Sequence, residues 1–280
     1  MSLRIKMIAA AVAMVASVGA NADMNNISSG NSSLAFIALD SIGSPISVMM
    51  DLGVTMDSFL AQTGTVGKYE WNFNTNTFLV NGVAQAGSYS WADNLASFNA
   101  VAQTAETKWG VIAGDSLSLS SSSTPARYFS TSLAPMDTVD NQTLANLAGF
   151  SAQNNLYNAN NLLQADGVID GSTATSGQAY VGATFGTLGN WANKTNLWSA
   201  FANVGATQSF YSLAAVPTLD AVGRPILAQV TTLKHGGADY FASFDDGVLT
   251  VAAVPEPETY AMLLAGLGLI GAIARRRKNV

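Results

Sequence analysis

Cysteine is absent from this chain, and histidine occurs once, at His235. Without thiols there is no disulfide framework and no thiolate chemistry, so the fold must rest on burial and backbone hydrogen bonding. One histidine and no cysteine leave a transition-metal centre short of ligands. Charge is scarce as well: 11% of residues are charged, against 49% hydrophobic. So little charge among abundant Ser, Thr, Asn and Gly disfavours a long-helix or coiled-coil protein, and so much apolar content excludes wholesale disorder. The chain is long enough to bury a full core.

What charge there is lies unevenly. Of the twelve basic residues, Arg4 and Lys6 stand at the front and Arg275, Arg276, Arg277 and Lys278 at the back. Between Asp23 and Val254 six basic residues face sixteen acidic ones, a balance of 6 − 16 = −10 within an overall −6. Such a surface repels phosphate backbones, and no nucleic-acid partner is expected.

Both ends read as transit labels. Residues 1–22 run from basic Arg4 and Lys6 through an apolar stretch at 7–18 to Ala20-Asn21-Ala22, the order of an export signal, with cleavage before Asp23. At the other end Pro255 and Pro257 make a stiff extended connector, because proline fixes its own φ and restricts the residue before it. The sixteen residues 259–274 carry no charge. As a helix they would reach about 24 Å, a short membrane span that Arg snorkelling and interfacial Tyr260 make feasible. The basic residues Arg275, Arg276, Arg277 and Lys278 then act as a stop-transfer and stay in the cytoplasm, leaving the body outside. Gly266-Leu267-Gly268-Leu269-Ile270-Gly271 spells G-x-G-x-x-G inside this span, but a dinucleotide site needs a preceding strand and a following βαβ unit. Small residues for close helix packing are the plainer reading, and no cofactor is expected.

The tail VPEPETYAMLLAGLGLIGAIARRRK resembles the PEP-CTERM sorting domain of Gram-negative bacteria, with Pro255-Glu256-Pro257 as the sorting motif, then the span, then Arg275-Arg276-Arg277. The resemblance implies recognition and processing by a membrane-embedded exosortase, a transient membrane anchor, and release to the cell surface or an extracellular polysaccharide matrix. It covers only the tail and implies nothing about the activity of the body. The chain therefore divides into a signal peptide at 1–22, an exported domain at 23–253 and a sorting and anchor segment at 254–280.

The body reads as short strands between turn residues. Strands are predicted at 33–40, 45–52, 69–73, 77–80, 109–113, 127–133, 180–184, 208–214, 226–233, 240–244 and 248–252, with turns at Gly236-Gly237 and Asp245-Asp246-Gly247. Helical spacing marks 92–105 and 141–163, and a short helix at 55–61 would be capped by Thr55 or Asp57. Residues 166–177 read as a polar loop. The expected fold is mainly β, an antiparallel β-sandwich of jelly-roll type with a few inserted helices, flanked by an N-terminal signal helix and a C-terminal transmembrane helix.

No catalytic constellation and no metal site stands out in the body. Gly114-Asp115-Ser116-Leu117 spells the nucleophile block of GDSL hydrolases, and an exported serine hydrolase using Ser116 and His235 is the alternative reading. That family places an Asp three positions before its catalytic His, whereas Thr232 stands there in this chain. Asp166, Asp170, Asp239 and Asp245-Asp246 lack the alternating spacing of a calcium loop and read as turn formers. Trp71, Trp91, Trp109, Trp191 and Trp198 could stack on sugars or fill the core, and at most one or two are expected to be exposed. The reading favoured by the sequence is a non-enzymatic surface or matrix protein, with extracellular polysaccharide as a candidate partner.

Overall fold

A computed structural model describes residues 23–115, 127–136, 139, 150–164, 167–186, 201–214 and 229–254. The segments assigned to signal and anchor helices, 1–22 and 255–280, lie outside them. Among the described residues no helix is long and apolar enough to cross a membrane.

Strands β1 (Ser33–Asp40) and β2 (Ile46–Thr55) form an antiparallel hairpin, and helix α1 (Met56–Gln62) follows at once. Thr55 is its cap, in a reciprocal capping box with Ser58. Next come β3 (Lys68–Asn72), β4 (Thr77–Val80), β5 (Val83–Ala84), β6 (Tyr89–Ser90), α2 (Ala92–Asn99) and β7 (Lys108–Gly114). Then follow β8 (Arg127–Ser132), α3 (Phe150–Asn161), β9 (Ile169–Ala174), α4 (Val181–Phe185), β10 (Ala202–Asn203) and β11 (Thr207–Ala214). The described body closes with β12 (Gln229–Thr232), β13 (Lys234–His235), β14 (Ala238–Asp245) and β15 (Val248–Val254).

The fold is mainly β, as expected, but the strands do not divide into two facing sheets. They form one sheet whose path runs β5-β4-β3-β15-β14-β11-β8-β7-β1-β2-β9-β6, with β10 beside β7, β12 beside β11 and β13 beside β14, antiparallel except between β6 and β9 and curled into a half-barrel. A second sheet is unnecessary because the curl covers its own inner face. Phe36 on β1 meets Phe244 on β14 at 4.6 Å and Phe73 beyond β3 at 5.0 Å between ring centroids. Phe59 of α1 plugs the same interior against Phe210 and Tyr69. Each such side chain, fully buried, contributes about 1.5–3 kcal/mol.

The two ends of the path are not joined by a ladder; aromatic side chains close the gap. Trp71 on β3 stacks on Phe78 of β4 at 4.9 Å, and its indole N–H donates to Leu52 O on β2 at 2.8 Å. Trp91 stacks on Tyr89 of β6 at 4.7 Å and donates to Asp51 O at 2.8 Å. Asn76, in the β3–β4 turn, accepts the backbone N–H groups of Trp91 and Ala92.

The outer face of the half-barrel is covered only where helices lie on it. Ala35, Ile37, Met49 and Ile112 point outward into a second cluster with Leu156 and Tyr157 of α3 and Val181 and Phe185 of α4. That explains why β1 is buried at every position and β2 at nearly every one, whereas β3 and β14 alternate.

Three predicted elements change. Residues 166–177, read as a loop, contain β9, whose polar residues are buried between β2 and α3; Ser172 Oγ donates to Asn160 Oδ1 at 2.6 Å. At Gly171 a Cβ would stand 2.8 Å from Met49 O, so only glycine fits there. Residues 180–184, read as a strand, form α4, because Val181 and Phe185 share one helical face over the outer cluster and Ser47 Oγ accepts the Val181 N–H. The helix predicted at 92–105 stops at Asn99.

Asp51 is fully buried on β2 beside this seam. Burial pushes its carboxyl from 3.8 up to about 7, against the opposing hydrogen bonds from Gly53 N–H and Ser33, with Asp170 adding to the rise. Besides Asp170 on β9, Tyr89 on β6 and Tyr157 on α3 face it. The folded state therefore holds this proton where the unfolded chain releases it. Stability falls as pH rises from about 4 to about 7, by up to about 1.4 kcal/mol per unit, and levels off above. Urea unfolding at pH 5 and pH 8 should show that drop in the wild type and a flatter response in Asp51→Asn. A wild type as stable at pH 8 as at pH 5, with Asp51→Asn behaving alike, would contradict the assignment.

Candidate functional site

The sequence-predicted sites fall in different places. Pro255, Glu256, Pro257, Arg275, Arg276, Arg277 and Lys278 lie outside the described residues, as do Ser116, Trp191 and Trp198. His235 sits on β13, half-buried, with Nδ1 at 2.7 Å from Thr63 O; a carbonyl only accepts, so Nδ1 carries the proton. Asp115, at the end of β7, is held by the guanidinium of Arg127, which also reaches Asp57. Asp57 and Thr63 mark opposite ends of α1, about 9 Å apart along its axis. The structure thus places Asp115 and His235 at opposite ends of a helix.

Trp71, Trp91 and Trp109 are fully buried and spend their indole N–H groups inward, the last on Asn203 O at 2.9 Å. None of the three offers a face to a ligand. No group of three or more His, Cys, Asp or Glu side chains able to hold a metal occurs among the described residues.

The structure does form a pocket of about 350 Å³ at one end of the half-barrel. Its apolar floor comes from Leu95 and Phe98 of α2, Val204 and Phe244; its rim carries Asn74, Asn99, Thr104, Asp245 and Asp246. The rim is built by turns. Asp246 and Gly247 take φ of 46° and 73°, the two left-handed residues of a tight hairpin between β14 and β15. Asn74, in the β3–β4 turn, donates from Nδ2 to Asp246 O at 2.8 Å, and Phe73 N–H donates to Gly247 O at 3.0 Å, so the two turns are tied together. At Gly247 the φ of 73° disfavours any residue with a side chain, and a Cβ there would also displace Asn74 Nδ2, 2.4 Å away.

β15 leaves this pocket and runs to the exit of the sorting tail. It pairs with β14 through Asp239↔Val254 and with β3 through Ala252↔Lys68, and Ala253 N–H donates to Gly67 O at 2.9 Å. Pro255 follows Val254 directly. The connector expected to begin at Val254 therefore begins inside the sheet.

Comparison with protein-family models finds the PEP-CTERM protein-sorting motif at residues 253–278, consistent with an exosortase substrate. The match opens on the last two residues of β15. Comparisons with curated proteins and with solved structures give no match. The motif marks an exported chain that passes through the membrane during processing by exosortase.

Proposed function

We propose that the protein is a non-enzymatic component of the cell surface or extracellular matrix, released there after exosortase processing, and that residues 23–253 form its working body, associating with polysaccharide or with neighbouring matrix material. The observation that carries this reading is the sorting motif at 253–278, which continues without a linker from a central strand of the sheet. The export signal at 1–22 and the stop-transfer residues Arg275, Arg276, Arg277 and Lys278 give the same topology. The acidic balance of the body suits an uncharged or cation-bridged matrix better than a phosphate-rich one. Removal of the residues after Val254 leaves every strand pairing among the described residues in place.

Replacing Pro255, Glu256 and Pro257 by alanine tests the sorting step. Most of the protein should then remain as the full-length chain in the inner-membrane fraction, with little at the surface or in the medium. Unchanged tail removal and unchanged surface amounts would defeat recognition through this motif.

A further inference from the structure

We infer that the pocket at the end of the half-barrel binds one ring of an uncharged glycan. The inference rests on the matrix reading above and supplies its ligand class. Three properties of the pocket support it. First, its floor is apolar and its rim polar, the composition that suits a sugar ring, whose C–H face seeks cover from water while its hydroxyls seek partners. Second, the rim groups are not spent on the protein. The side chains of Asp245, Asp246, Asn99 and Thr104 have no ion-pair or hydrogen-bond partner among the described residues. The two carboxylates accept from hydroxyls in charge-assisted bonds, and the amide of Asn99 both donates and accepts. Because the Asn74 tether holds the β14–β15 turn, the backbone that carries the two carboxylates is set before a ligand arrives, which reduces the ordering entropy lost on binding.

Third, position fits the task. β15 begins beside the pocket and ends at the sorting tail, so pocket and tail exit lie about 20 Å apart at opposite ends of one strand. The tail exit therefore leaves the pocket end of the sheet unobstructed by its own strand's continuation. Charge then selects the ligand: two uncompensated carboxylates in a body of net −10 disfavour uronates, sulfates and phosphates. At about 350 Å³ the pocket is at the small end of ligand sites, which suits a single ring of a longer chain and weak affinity repeated along it.

The test uses processed protein collected from the cell surface. Maltohexaose, cellohexaose and mannohexaose serve as neutral probes and oligogalacturonate as the anionic one, with calorimetry or chemical-shift changes as the readout. At least one neutral probe should bind, the anionic probe should not, and Asp245→Ala and Asn99→Ala should each weaken binding about tenfold, or about 1.4 kcal/mol. Gln178→Ala, at a residue that does not line this pocket, should leave it unchanged. Asn99 is exposed at the end of α2, so its variant keeps the fold even if the turn variant does not; melting curves of both verify this. Binding of no neutral probe, preference for the anionic one, or unchanged binding in both pocket variants overturns the inference. Wild-type protein that still fractionates with the matrix while binding none of the glycans defeats the pocket alone. Glycan binding by protein that never reaches the surface defeats the matrix reading instead.

Discussion

A chain ending at Val254 should melt in one cooperative transition, and a chain ending at Gly247 should show none. The second truncation removes β15, which lies between β14 and β3 with seven residue pairs on one side and five on the other. Leu249 and Val251, both fully buried, go with it, at about 1.5–3 kcal/mol each. The hydrogen bonds of two ladders add about 1 kcal/mol apiece. Together these exceed the 5–15 kcal/mol by which a domain is typically stable. The loss also strands β3, β4 and β5 from the rest of the path. Near-ultraviolet circular dichroism and tryptophan fluorescence during heating would show it, since Trp71 and Trp91 report on the seam. A cooperative transition in the chain ending at Gly247 would refute the central role of β15. The consequence reaches sorting: an exported chain cannot complete its sheet until residue 254 has crossed the membrane, immediately before the sorting segment enters it.

Local chemistry made much of this fold legible. The apolar runs of β1 and β2 carry no alternation, and both strands are buried on both faces; β3 and β14 alternate, and one face is wet. Thr55 advertised its cap, and Gly236-Gly237 and Asp246-Gly247 advertised hairpins that occur with positive φ at all four residues. What escaped was set by distant partners. β9 is polar and earns no strand signal of its own; it is held by β2 and by Asn160 of α3. The curl likewise depends on which strands pair, and β3 finds β15 more than 170 residues away. The same division applies to function. The sorting tail is a linear code, readable because composition and order are its whole content. The pocket draws on five separated segments, and its residues Asp245 and Asp246 read only as turn formers, which they also are.

Trp71→Ala should be the most damaging single substitution in the described body. Removing a buried tryptophan costs about 3–5 kcal/mol in lost contacts and cavity formation. Here the ring is also the bridge between the ends of the sheet path: it stacks on Tyr69 at 5.8 Å and Phe78 at 4.9 Å while its N–H reaches Leu52 O. Trp71→Phe separates the two contributions. It keeps most of the stack but leaves the Leu52 carbonyl without its indole donor, so about 1–3 kcal/mol should be lost. Trp109→Ala is the control, since that indole packs inside the continuous sheet and bonds to Asn203 O. Both alanine variants should lower the melting temperature, but only Trp71→Ala should speed hydrogen exchange selectively at β4 through β6. That segment is joined to β3 by four residue pairs, and it meets the other end of the sheet path through Trp71, Tyr89, Trp91 and Asn76 and through two residues of parallel pairing with β9. Equal exchange patterns in the two variants would mean that the seam is ordinary core and that the half-barrel holds its shape by backbone pairing alone.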